Sequence, residues 1–445
     1  MAVALKRLTM VLVAALALGG CETVDSVFTT KDRDRIPGER IPVIASENKL
    51  QLDAVATNEP VKLPAPYVNE SWEQPGGFAN NVLHHLSASG DLRVAWEAEA
   101  GTGSSADARL IATPIVAAGR AYVLDAEAQV RAFAADTGAL LWEIDLTPEE
   151  EDSDVGFGGG IAFDGGRLYV STGFGFIVAL SADSGQEIWR HKASVPFRAA
   201  PTVNGGRVFI STQENQLLVL SAETGEMIWD HRGIAETAGM LSSTSPAVAG
   251  DLVVVPYTSG ELFGLRVQNG RQVWSDTLSP ASTSNALAGL TDIAGRPVID
   301  RGIVIAISHS GRLVGIDTRS GERIWTRDIA GTQTPWVAGD VVYIVSTGAQ
   351  VICLNRADGR IRWVTQLPRW VDEDDKDEPI VWSGPVLASD RLLVASSKGE
   401  MMSVSPYTGQ MLGKIEIPAG VFIAPVIANN TLYVLTDEGQ LIALR

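Results

Sequence analysis

The chain has 445 residues, 45% of them apolar, enough to bury a large core. Its formal net charge of −18 excludes a nucleic-acid partner, because a phosphate backbone is held by Lys and Arg. Length alone divides such a chain into about three domains, but an internal repeat sets that prior aside.

Lys6 and Arg7 precede an apolar run over residues 8–18, followed by Gly19, Gly20 and Cys21. A short cationic start, an apolar centre and small residues make a secretory signal over residues 1–20. The run is too short to cross a bilayer. Removing it takes the net charge from −18 to −20. The order Leu-Gly-Gly-Cys is similar to the bacterial lipobox, which implies that Cys21 is acylated and becomes the first mature residue. Multiple acyl chains anchor stably where a single chain does not. The one other cysteine, Cys353 in VICLN, then has no disulfide partner and reads as a small buried hydrophobe.

Residues 21–91 read as a tether and N-terminal extension. Residues 22–30 are polar, 31–40 are charged and turn-prone, and 48–63 fit a short strand or an extended chain. The Pro-containing stretch 60–77 reads as irregular chain lying over a surface or left loose. His84 and His85 stand side by side without a third ligand near in sequence, so a surface or capping role is expected rather than a metal site.

From residue 92 the chain repeats. GRLYVSTGFGFIVALSADSGQEIW (166–189) and GRVFISTQENQLLVLSAETGEMIW (206–229) are near copies, and fainter ones continue to the end. Each holds short β runs and a turn Gly with Trp four residues on: Gly138 and Trp142, Gly185 and Trp189, Gly225 and Trp229, Gly270 and Trp274, Gly321 and Trp325, Gly359 and Trp363. Gly409 is followed by Gly413 where Trp is due, and Trp96 precedes the first copy. The Gly supplies positive φ in a tight turn. The Trp is an apolar plate between neighbouring sheets whose N–H needs an acceptor. A second mark, Pro entering an apolar strand, falls at Pro114, Pro201, Pro246, Pro297, Pro335, Pro385 and Pro425, with GGGIA (158–162) standing in once.

A period of about 40–50 residues with four strand signals predicts an all-β, eight-bladed β-propeller of four-stranded antiparallel blades over residues 92–445. The chain stops at LIALR, one strand short of a full blade. Residues 93–99 carry the missing character, so this N-terminal strand is expected to pair with the C-terminal strands and close the ring. An open ring would leave a bare edge.

Function is expected on the connections between blades. Those at 148–160, 193–200, 232–245, 278–295 and 368–381 are the longest. ASVPFRAA (193–200) sets Phe197 beside Arg198, the residue types that dominate interface hot spots. DEDDKDE (372–378) suits Ca²⁺ or a basic partner in composition, but lacks the glycine and ligand spacing of an EF-type loop, which favours a solvated loop. GFGGG (156–160) lies between strands and makes no dinucleotide fingerprint. The five histidines form no Ser/His/Asp set. His191 and His231 each follow a repeat Trp by two and read as repetition.

A lipobox, a tether and eight repeats with turns of the Thr-Gly-x-x-x-Trp kind resemble the BamB family, lipoproteins of the outer-membrane β-barrel assembly machinery. The resemblance implies a lipid-anchored place at the periplasmic face of the outer membrane, with no catalysis and no cofactor. The implied partner is a BamA-like barrel protein, bound through its POTRA domains, with unfolded outer-membrane proteins as clients. Val195, Phe197 and Arg198 are the counterparts of the family's apolar-plus-Arg contact loop. The following loop, LSSTSP (241–246), lacks the family's acidic residues, and Glu22 bears on sorting between the two membranes. The turn repeat alone is also similar to that of PQQ-dependent dehydrogenases, which need a central Ca²⁺ site and often adjacent cysteines. This chain has no Cys-Cys pair. A lipoprotein that binds another periplasmic partner is the remaining alternative.

Overall fold

The computed structural model describes residues 50–156, 158–197, 199–236, 244–278 and 292–445. Cys21, Glu22 and Arg198 lie outside the described residues. The strands group into eight four-stranded antiparallel sheets. Seven are built in sequence order: residues 115–145, 159–192, 202–232, 247–277, 298–327, 336–366 and 382–416, here blades 1 to 7. Blade 8 takes three strands from the C-terminus and its outer strand, Val94–Glu99, from before blade 1. Trp96 faces Ala443 and Glu99 faces Gln440 in that pairing, and Arg93 and Arg445 exchange backbone hydrogen bonds of 2.8 Å. The expected closure is therefore built, and the ring has no open gap.

In seven of the eight neighbouring pairs of blades the first strands pack against each other, so the first strands line the centre. Strand direction then fixes two faces. Hairpins between first and second strands and between third and fourth strands lie on one, the turn face. Hairpins between second and third strands and all blade-to-blade connections lie on the other, the loop face.

The repeat Trp residues join the blades. Each outer-strand indole donates to a carbonyl of the next blade, three residues before that blade's turn Gly: Trp142 to Ala182, Trp189 to Ala222, Trp229 to Val267, Trp274 to Thr318, Trp325 to Arg356 and Trp363 to Pro406. Trp96 closes the series on Ala135 of blade 1. The ring lies against the turn Gly itself. A methyl built on Gly225 would sit 2.6 Å from Trp189 Cε3. Glycine is thus required twice, for φ of +73° and for the indole above it. Gly413 of blade 7 stands in the Trp position because its neighbour, blade 8, has no turn joining third and fourth strands. The feature that a Trp would cover does not exist there. A tyrosine in the second strand of several blades stacks on the same Trp and donates to the same carbonyl, as Tyr122 and Trp142 both do to Ala182, with ring centroids 6.0 Å apart.

From Leu50 onward the N-terminal extension belongs to the same compact unit as the propeller. Its first described part lies on the outer strand of blade 6. Asp53 N–H donates to the Ile361 carbonyl, and the Arg362 guanidinium donates to the Glu59 carbonyl. The chain then crosses the turn face and circles the central channel once. Asn69 accepts the N–H of Asn429 in blade 8, and Trp72 exchanges backbone bonds with Val116 in blade 1. The Glu73 carbonyl takes Phe163 N–H of blade 2. The Gln74 amide makes two bonds to the backbone of Val203 in blade 3. Ala79 and Asn80 accept from Val248 of blade 4 and Ile299 of blade 5. The His84 carbonyl takes the indole N–H of Trp336 in blade 6, and Leu86 exchanges with Leu387 and Ser389 of blade 7.

Of the two states expected for residues 60–77, chain lying over a surface or chain left loose, the collar is the first. The reason is geometric. A propeller's first strands turn their bare edges toward the channel, and buried backbone N–H groups need acceptors. The collar supplies them one blade at a time. His85, buried against blade 7, accepts Asp390 N–H at Nε2. The vicinal pair is therefore a cap, as expected.

Candidate functional site: the loop face and the central channel

The connection from blade 2 to blade 3 is pinned at several points. Ala193 N–H donates to the Gly175 carbonyl, Gln213 N–H donates to the Pro196 carbonyl, and Phe197 bridges Thr212. Ser171 Oγ donates to the Ala199 carbonyl at 2.8 Å. Phe197 is fully buried among Tyr169, Ile177, Val203, Ile210 and Leu218. Its ring is thus not offered to a partner, contrary to the reading of Phe197 as a contact side chain. The connection spans a gap between two hairpins, and an aromatic ring fills that gap. Phe197 shapes the loop, while Val195 is half-buried beside exposed Ser194.

Other connections on this face also expose apolar side chains. Val155 is 62% exposed and Ile234 60%, and Val371, Val381 and Phe422 are exposed too. Ile234 is held by structure that sequence did not reveal: its N–H donates to Glu261 Oε2, and its carbonyl accepts from Asn215 Nδ2. Glu261 lies on a different blade from residues 232–236, so a carboxylate reaches this connection by folding alone. Of LSSTSP, only residues 244–246 are described.

The acidic stretch is a hairpin rather than a plain loop. Strands Trp370–Asp372 and Asp377–Pro379 pair, and Asp372 Oδ1 accepts the N–H groups of Asp374 and Asp375. Three of its carboxylates, those of Asp372, Glu373 and Asp377, accept backbone N–H groups. Among the described residues no group of three metal-ligating side chains assembles. Cys353 is buried, and burial pushes its thiol well above the ordinary range, as expected of an inert core residue.

The collar narrows the channel at the turn face, where the rings of Trp72 and Trp336 approach to 6.4 Å. On the loop-face side it leaves a cavity of about 530 Å³. Asp437 is the one carboxylate on its described wall, and it already accepts from Ser104 Oγ. Ca²⁺ takes several carboxylate or carbonyl oxygens, so this wall does not fit the metal of a PQQ enzyme.

The family model described as outer membrane protein assembly factor BamB matches residues 74–154, 126–365 and 370–445. The protein of that name from Shigella dysenteriae is 30% identical over 335 residues, covering 74% of this chain and 83% of the relative. The crystal structure of BamB from Moraxella catarrhalis is similar at a TM-score of 0.65 and 19% identity, covering 80% of this chain and 99% of that one. Quinohemoprotein alcohol dehydrogenase from Comamonas testosteroni gives 0.64 at 14% identity, covering 84% and 80%, a likeness of fold alone. With the family model spanning every blade, the chain belongs to the outer membrane protein assembly factor BamB family.

Proposed function

We propose that this protein is a non-catalytic subunit of the machinery that assembles outer-membrane β-barrels, lipid-anchored through Cys21 at the periplasmic face of the outer membrane. The observation that carries this reading is the family match, which extends from the collar through all eight blades. In this reading the loop face docks on the POTRA domains of a BamA-like barrel protein, with Val195 and Arg198 in contact and Phe197 holding their loop in shape. Exposed apolar side chains on several connections of that face support it. The collar, by contrast, occupies the centre of the turn face.

Affinity capture from detergent-solubilised membranes tests the proposal. Recovery of a BamA-like barrel with the protein is expected. Its absence under conditions that preserve other membrane complexes contradicts the reading. Arg198→Glu is expected to weaken that recovery at least about tenfold, a loss of ~1.4 kcal/mol, with an unchanged melting temperature. Undiminished recovery removes Arg198 from the interface. Turnover of an alcohol or sugar on addition of PQQ and Ca²⁺ would instead make the protein an enzyme.

A further inference from the structure

The channel holds a cation on its wall. Arg296 enters from the connection before blade 5, and its Nη2 donates to Thr113 Oγ1 at 3.2 Å. Thr113 belongs to the connection before blade 1, four blades away around the ring of eight. This bond therefore spans the channel. Around it stand Trp72, Leu83, Trp336 and Phe422, from the collar and two further blades. A volume of about 530 Å³ falls in the range of small-molecule sites, which are mostly apolar with a few placed polar groups.

We propose that this cavity binds an amphipathic carboxylate, with the carboxylate on Arg296 and Thr113 and the apolar body against Trp72, Leu83 and Phe422. The donor geometry suits that ligand. A guanidinium presents N–H donors in a planar fork that matches a carboxylate. A threonine hydroxyl that accepts from Arg296 still has its own proton to donate. Enclosure by the channel wall pulls the Arg296 guanidinium down to about 10, the cost of holding a cation away from water. Arg109, exposed on the wall, adds a second positive charge, against the single carboxylate of Asp437, so the described wall carries a surplus of positive charge. The collar is part of the site. Gly76 approaches Asn81 so closely that an added methyl would lie 2.1 Å from Asn81 Oδ1, which keeps both on the cavity floor.

Calorimetric titration of the purified full chain with 2-naphthoate and with its uncharged analogue 2-naphthamide tests this. One equivalent of naphthoate is expected to bind, at least tenfold more tightly than the amide. Arg296→Leu is expected to abolish that preference, and Arg296→Lys to retain part of it. Thr113→Val, which keeps the cation, is expected to weaken naphthoate severalfold and serves where Arg296→Leu does not fold. Three results would overturn the proposal: no saturable binding at millimolar ligand, equal affinity for acid and amide, or a preference unchanged in both the Arg296→Leu and Thr113→Val proteins.

Discussion

Gly225 and Gly206 share a backbone φ of +73°, yet they do different work. A methyl on Gly206 meets nothing within 4 Å, whereas on Gly225 it meets the Trp189 indole. An alanine at Gly206 therefore bears only the left-handed strain, about 1–2 kcal/mol. Gly225→Ala adds overpacking of about 1–3 kcal/mol. Thermal unfolding of the two variants is expected to rank Gly225→Ala clearly lower, and equal midpoints would refute the packing role given to the repeat Trp. His231 supplies a pH signal at the same scale. Burial holds its imidazole below the ordinary value, against the upward pull of Glu261 and Asp230. In the unfolded chain it titrates near about 6.5. Between those two values the unfolded chain binds more protons, so stability falls as pH drops through about 6.5 and levels off below the folded-state value. His84 is shifted in the same direction, also by burial first. Melting temperatures of His231→Gln are expected to vary less than wild type between pH 7.5 and 5, and parallel curves would contradict this.

At the scale of elements, the collar sets the sheets' inner boundary. Gln74 acts there as a surrogate strand residue, since its side-chain amide makes both bonds that a backbone neighbour would make to Val203. Gln74→Ala is expected to cost about 2 kcal/mol, because a buried N–H and C=O lose their partners together. Hydrogen exchange at the Val203 amide should accelerate more than at core amides of blade 3, such as that of Phe209. Uniform exchange across the blade would mean that the collar is dispensable there. The blades were legible in the sequence because their signals are local and periodic: a turn Gly, a Trp four residues on, a Pro at all but one of the strand entries. Even the strand exchange that closes blade 8 follows from a missing Trp at one end and a spare one at the other. The collar was not legible, because its contacts are set by bare strand edges on eight separate blades. Trp72 pairs with Val116, Asn81 bonds Pro297, and nothing in the spacing of 60–86 encodes either. The inward turn of Phe197 was hidden for the same reason. An aromatic beside an Arg looks alike in sequence whether it fills a gap between hairpins or faces a partner. The acidic run showed its charge but not its hairpin, whose turn is closed by Asp372.

On the scale of the whole molecule, the two faces are unlike. The turn face is occupied at its centre by the collar, while the loop face carries exposed apolar connections around the central channel. On the proposed reading, a partner barrel's periplasmic domains meet the loop face. A photo-crosslinking residue placed at Val195 on that face, and another at Glu223 on the turn face of blade 3, compare the two sides in living cells. A crosslink to a BamA-like barrel protein is expected from position 195 and none from position 223. A crosslink from 223 with none from 195 would contradict it.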